Sequence, residues 1–419
     1  MRNRAPFVLF TLVVGYGAFY LCRANVESSF PLLAADFGFT KVQLGTLSSI
    51  PIATYAVGKV VMGTFGDVIG GKRLMLVATS GSVLATFAFG ASSGLAAFVF
   101  FAAVNRFFQS GGWSGAVSIV ALRFEPPRHG LVMGILSTSY ELGNVLAILL
   151  CSAVTRWLPG WRPLFRINPT LFAIVGIFLA VMLRPTPRPP RSHASPALPA
   201  SVPPEPRKAD EPTVRELVAA LARKPAFWIA VVLSVLLTFL RVGFLTWTPT
   251  YLYELSRATG KGVVSAAIAK SAIFSSAGVV AALTVGALSD RFGPGRRAPV
   301  MAASLSMVVA LVVVLAHGQV RSPLVAALLI GGVGLFLLGP YSLLAGALAL
   351  DVSAKRGAAT AAGIIDGAGY LGASLAGIVL GGVAEKWGWS AAFDVVAAAA
   401  FMATLVTGAW AVRVLRTVK

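Results

Sequence analysis

Long apolar blocks alternate along this chain with short segments rich in charge, glycine or proline. Twelve blocks stand out, at residues 7–33, 43–66, 73–92, 95–122, 129–154, 163–183, 225–252, 264–288, 298–317, 323–350, 357–382 and 389–412. Each is near or above the ~20 residues a helix needs to cross a bilayer. The pattern predicts an all-α membrane protein with twelve transmembrane helices. Met1 to Cys22, with Arg2 and Arg4 ahead of an apolar run, has the outline of a signal peptide. It has no small-residue cleavage site and eleven further blocks follow, so it is expected to be the first helix.

The stretch 184–224 interrupts the series. Nine prolines lie between Pro185 and Pro206, interleaved with Arg, Ser and Ala, a composition that cannot build a packed core. Thr213 and Glu216 then form a capping-box pattern ahead of a short expected helix on the cytoplasmic face. The chain thus divides into a six-helix half at 1–183, a linker at 184–224 and a second six-helix half at 225–419.

The halves echo each other. Gly63-Thr-Phe-Gly-Asp67, closing the second block, returns as Gly286-Ala-Leu-Ser-Asp290, closing the eighth, at an offset of 223. Gly160-Trp161 and Phe165 return as Gly388-Trp389 and Phe393 at 228, and Arg23 returns as Arg241 at 218. A near-constant offset signals duplication, with the halves related by an axis along the membrane normal and a substrate site between them near the midplane. Asp67 and Asp290 can each cap the next helix and pair with Arg73 or Arg291 across a tight turn, holding a gate in one conformation. The alternative is a plain charged turn.

Composition sharpens this picture. Apolar residues make up 57% of 419 positions and charged ones 12%, about half the ~25% usual in soluble domains; mean hydropathy is +0.82. The net charge of +20 would suit a nucleic-acid binder if it were clustered. Instead 22 of the 35 Lys and Arg fall in segments on one side of the predicted membrane, 8 on the other and 5 inside blocks. Cytoplasmic segments attract Lys and Arg, so both termini and the linker are expected inside, in a bacterial-type inner membrane, with no nucleic-acid partner. Cys22 and Cys151 lie within blocks and imply no disulfide framework. No phosphate-binding loop of the ATPase type occurs. No nucleophile–base set or metal spacing appears, and the three histidines (His129, His193, His317) lie in or near loops. Neither an enzyme nor a cofactor is expected.

Ionisable residues inside the blocks carry the functional signal, because each costs ~2.5–3.5 kcal/mol or more at a helix centre. The basic ones are Arg23, Lys59, Arg106, Arg241 and Lys270; the acidic ones are Glu27, Glu141 and Asp366. Arg23 and Arg241 occupy equivalent depths of the first helix of each half. Tyr16, Phe19 and Tyr20 frame one; Phe239, Phe244 and Trp247 frame the other. A guanidinium binds phosphate or carboxylate bidentately and stays charged, so two facing a cavity suit a phosphoryl group. The alternative is that Glu27 neutralises Arg23 and Asp366 neutralises Arg241. Lys59 adds positive potential or snorkels to an interface. Arg106, beside Gln109, has a gating or structural role or touches ligand. Glu141 and Asp366 carry protons, pair with the arginines, or both.

At Gly15-Tyr-Gly-Ala-Phe-Tyr-Leu-Cys-Arg23-Ala-Asn25 the chain resembles the organophosphate:phosphate antiporters of the major facilitator superfamily. The likeness continues through Tyr55-Ala-Val-Gly-Lys59, Phe108-Gln-Ser-Gly-Gly-Trp113, Leu240-Arg241-Val-Gly-Phe-Leu-Thr-Trp247 and Gly369-Tyr370-Leu-Gly372, sparing only the linker. It implies a phosphate-binding pair at Arg23 and Arg241 with Lys59 nearby. Tyr16, Tyr20, Tyr55, Tyr140, Tyr370, Trp113 and Trp247 are expected around the substrate, and Asp67, Asp290, Arg73, Arg291, Glu27, Glu141, Asp366 and Arg106 in gating or coupling. The family's pattern is broken at three places: Ala24 stands for a lysine, Tyr140 for a histidine and Ser275 for a carboxylate.

The expectation is a monomeric secondary transporter exchanging an organic phosphate ester, of glycerol-3-phosphate or sugar-phosphate type, for inorganic phosphate by alternating access. Two other readings stay open: a proton-coupled carrier of organic anions or drugs working through Glu141 or Asp366, and a transporter-like membrane sensor of a phosphorylated ligand.

Overall fold

The computed structural model describes residues 5–125, 129–183, 219–260, 262–292, 297–344 and 358–417. The apolar blocks fold as twelve helical passes among these residues, and no strand occurs among them. The first pass, α1, is Ala5–Ala18 and Ala24–Phe37 joined by a 3-10 turn at Phe19–Cys22. Then come α2 (Lys41–Ile69), α3 (Gly71–Ala91), α4 (Leu95–Arg123), α5 (His129–Trp157) and α6 (Leu164–Met182). The remaining passes are α7 (Pro225–Ala258), α8 (Val264–Phe292), α9 (Arg297–His317) and α10 (Pro323–Leu343), then α11 and α12, which share Ala358–Thr417 and part at Gly388. Among the described residues, ten segments are long and apolar enough to cross a bilayer. One of them is Gly363–Val412, which holds both α11 and α12. α4 supplies the other pass, with 29 residues and Asn105, Arg106 and Gln109 at its middle. The linker through residue 218, including the Thr213–Glu216 capping pattern, lies outside the described residues.

The repeated Gly-Trp motif has a structural counterpart. Gly160 at φ 82° and Gly388 at φ 83° both take a left-handed conformation costly for residues with a Cβ. Each turn then packs its tryptophan in an aromatic cluster, with Trp161 buried and Trp389 partly so. Trp161 packs with Phe89, Phe98 and Phe165; Trp389 packs with Trp247, Tyr251 and Phe393. Large apolar side chains such as Leu84, Val60, Phe100, Ile177, Leu371 and Phe401 are more than half exposed, as lipid-facing residues are.

Helices α1 to α6 pack on one another, as do α7 to α12, and the groups meet along α2–α11, α5–α8 and α1–α7. Small residues permit the closest crossing: a Cβ on Gly45 would lie 2.4 Å from the Gly377 carbonyl oxygen. At the end carrying the α1–α2, α7–α8 and α11–α12 turns, the groups are bonded across their seam. Lys41 pairs with Glu254 at 3.1 Å, and the Val42 amide donates to Glu385 at 3.0 Å. Ser48 bonds Thr246 at 3.0 Å, the Ile378 amide donates to Ser49 at 3.1 Å, and Ser152 donates to the Ser265 carbonyl at 2.8 Å. This end is closed. A chamber of about 1590 Å³, counting its mouth, lies between the groups on the other side of that seal.

Candidate functional site

Arg23 owes its position to the break in α1. The 3-10 turn ends with the Arg23 amide bonded to the Tyr20 carbonyl at 3.0 Å, and Arg23 sits at φ −116°. A tightened turn leaves helical carbonyls without their usual i+4 donors, and inside a membrane such groups need partners. Side-chain amides supply them. Asn105 and Gln109 of α4 donate to the Cys22 carbonyl at 2.7 and 2.9 Å, and Asn168 of α6 donates to that of Leu21 at 2.9 Å. Ser82 and Thr86 of α3 hold Asn105 in turn, at 2.7 and 3.2 Å.

The same network steers the guanidinium. Arg23 Nε donates to Gln109 Oε1 at 2.9 Å, and Arg23 lies 4.7 Å and 5.0 Å from the ring centroids of Tyr20 and Tyr55. Its Nη2 is buried and makes no hydrogen bond. Opposite stands Arg241, on an unbroken α7, framed by the rings of Tyr341 at 5.0 Å and Tyr140 at 5.7 Å. Lys59 stands over the Tyr370 ring at 4.5 Å, and Tyr55 packs on Tyr370 at 5.0 Å. Trp113 lies 5.0 Å from Tyr16. All of these line the one chamber, with Asp366.

Three of the four cations here have carboxylate partners. Arg241 Nη2 donates to Glu141 at 3.0 Å, Arg106 Nη2 to Glu27 at 3.0 Å, and Lys59 pairs with Asp366. Arg23 has no carboxylate partner among the described residues. Beyond Arg23 and Arg241, toward the closed end, a second compartment of about 650 Å³ shares both arginines as walls and is lined by Glu27, Arg106 and Asn144.

The sequence-based expectations meet this geometry unevenly. Arg23, Arg241, Lys59, Tyr16, Tyr20, Tyr55, Tyr140, Tyr370 and Trp113 are brought together. Trp247 is not. Its buried ring packs on Phe30 at 5.7 Å and its N–H donates to the Gly377 carbonyl at 3.2 Å, so it joins helices outside the chamber. The two neutralising pairs weighed above, Glu27 with Arg23 and Asp366 with Arg241, do not form, because Arg106 and Lys59 lie nearer those acids. Arg73 is exposed on α3. The side chains of Asp67, Asp290 and Arg291 lie outside the described residues. Tyr341 and the amides Asn105 and Asn168 escaped the sequence reading; a polar side chain embedded in an apolar block was the available signal.

Twelve passes around a central charged chamber have a counterpart among known families: residues 12–373 match the Major Facilitator Superfamily. The chain belongs to this superfamily. Among curated relatives, a probable hexose phosphate transport protein of Chlamydia trachomatis is 27% identical over 95% of this chain and 89% of its own length. The glycerol-3-phosphate transporter of Bacillus subtilis is 28% identical over 92% and 87%. The membrane sensor protein UhpC of Escherichia coli is 28% identical over 95% and 90%. The likeness to the organophosphate:phosphate antiporter family read from the sequence is borne out, and this superfamily member is a multi-pass membrane protein rather than an enzyme. Its fold is shared with a solved bacterial homolog of the lysosomal transporter Spinster in an inward-facing, unoccupied conformation. That match has TM-score 0.81 and 15% identity, covering 99% of this chain and 98% of the other.

Proposed function

We propose that the protein is a secondary transporter that exchanges a phosphate ester, of three-carbon or sugar type, for inorganic phosphate. The observation that carries this is the Arg23 guanidinium, which lines the chamber without a carboxylate partner among the described residues and faces Arg241. A phosphoryl group offers the acceptor oxygens that Arg23 Nη2 lacks, and a planar fork meets it in a bidentate way. Relatives that carry glycerol-3-phosphate and hexose phosphate support the same class. The protein would sit in a bacterial inner membrane with both termini cytoplasmic, as the bias of Lys and Arg favours, so that the chamber faces the cytoplasm.

Residues 1–183 and 225–419 would rock about the α2–α11 and α5–α8 seams, with 184–224 as their tether. Binding favours the rocking motion because it completes Arg23 while the site is enclosed; the empty site keeps an unsatisfied cation. A ligand shifts a conformational equilibrium only through such differential interaction. Exchange is therefore favoured over net flux.

The test is counterflow into proteoliposomes preloaded with inorganic phosphate and offered three-carbon and six-carbon phosphate esters. Uptake of one ester that depends on internal phosphate and is lost in Arg241→Lys supports the reading. Uptake of no ester by well-folded protein refutes it. The UhpC relative favours a second reading, a sensor that binds without moving its ligand; ester binding to purified protein with no flux in the same vesicles would select it.

A further inference from the structure

Charge around the chamber and the adjoining compartment does not match a phosphate dianion. Arg23, Lys59, Arg106 and Arg241 line these cavities with Glu27 and Asp366, and Glu141, which lines neither but pairs with Arg241 from behind, brings the sum to one net positive charge among the described residues. A dianion entering alone makes the site net negative in surroundings that penalise uncompensated charge. One carboxylate is placed to remove that excess.

Glu141 is the most buried of the three acids, with 5% side-chain exposure against 11% for Glu27 and 31% for Asp366. Its Oε1 accepts from Arg241, while its Oε2 is buried without a hydrogen-bond partner. Among the described residues, the groups around it offer no substitute cation. Tyr140 adjoins it on α5, and Tyr341 of α10 and Tyr20 of α1 stand around Arg241. α8 faces it with Gly278, and nearby Ser275 is occupied by Asn144 at 2.8 Å. If a phosphoryl group takes over Arg241 Nη2, Glu141 is left as an isolated buried anion. Glu27 keeps Arg106, and Asp366 keeps Lys59 in the wetter part of the chamber.

We propose that Glu141 carries a proton together with the anion, an inference that rests on the phosphate-exchange reading above. As phosphoryl oxygens replace Glu141 on Arg241, one proton taken up from the bulk solution adds to the Glu141 carboxylate. Release of the anion returns Arg241 to Glu141 and expels the proton. The transported unit is thus a dianion plus one proton, with a net charge of minus one.

The experiment measures inorganic phosphate binding to purified protein at about pH 8.5, where phosphate is a dianion. Proton uptake is read from calorimetry in buffers of different ionisation enthalpy. Wild type takes up close to one proton per phosphate, and its affinity falls about tenfold per pH unit on the alkaline side, as one linked proton requires. Glu141→Gln removes the competing anion, so it binds phosphate roughly tenfold tighter, with no proton and a flat alkaline profile. Absence of proton uptake in wild type overturns the proposal even if Glu141→Gln does not fold. Binding without proton uptake, or uptake that survives in Glu141→Gln, overturns the proton role alone. Absence of phosphate binding by wild type overturns the exchange reading and this inference with it.

Discussion

Replacing Gln109 with glutamate places an acid beside the one chamber arginine that has none among the described residues. The substitution is nearly isosteric, and Gln109 Oε1 already lies 2.9 Å from Arg23 Nε. At that separation, with an effective dielectric near 20, the gross attraction is about 6 kcal/mol. Burying the new carboxylate removes several of those. The net gain of a charged hydrogen bond, about 1.5–3 kcal/mol, is the amount by which a phosphoryl group must then outcompete it. Phosphate affinity should fall roughly 10-fold to 100-fold. The helix break should survive, because Asn105 still donates to the Cys22 carbonyl at 2.7 Å after the Gln109 donor is lost. Gln109→Leu is the control: it removes the same contact without adding charge, and should weaken binding only several-fold. The assay is concentration-dependent phosphate exchange in proteoliposomes at matched protein. Equal affinity in Gln109→Glu and Gln109→Leu would refute the reasoning that Arg23 binds because it is unpaired.

Other substitutions probe the scaffold and the seal. Asn105→Ala removes donors to the Cys22 carbonyl and Thr86, and should cost about 1–3 kcal/mol, read as a lower Tm in detergent and slower exchange. Gly45→Val places a side chain where even a Cβ would lie 2.4 Å from the Gly377 oxygen, so it should hold α2 and α11 apart and block closure of that end. Labelling of a cysteine introduced at Ser48, applied from the closed side, should rise in Gly45→Val; wild-type protection there would contradict the crossing. Glu385→Gln weakens the bond that caps α2 through the Val42 amide, and should likewise raise labelling from that side, by a few-fold.

Apolar blocks and charge bias made the passes legible, because a bilayer demands long apolar helices with all backbone groups bonded internally. The end of α1 at Phe37 and the parting of α11 from α12 at Gly388 were nearly in place for the same reason. Site chemistry was legible where a residue type is anomalous in lipid: Arg23, Lys59, Arg241, Glu141 and Asp366 declare themselves by their cost. Pairing was not legible. An i+4 relation suggested that Glu27 meets Arg23, yet Arg23 turns to Gln109 and Arg106 of α4 takes the acid. Nothing in an apolar periodicity reports a 3-10 turn held open by amides from other helices. Trp247 misled because an aromatic near a key arginine serves a helix junction as readily as a binding site.

The central claim is that Arg23 binds the phosphoryl group. Exchange of radiolabelled phosphate into phosphate-loaded vesicles, compared between wild type and Arg23→Lys at equal incorporation, tests it most directly. Lysine keeps the charge but loses the fork, so exchange should be fast in wild type, dependent on internal phosphate, and at least 100-fold slower in the variant. Wild-type exchange rates in Arg23→Lys would contradict the account.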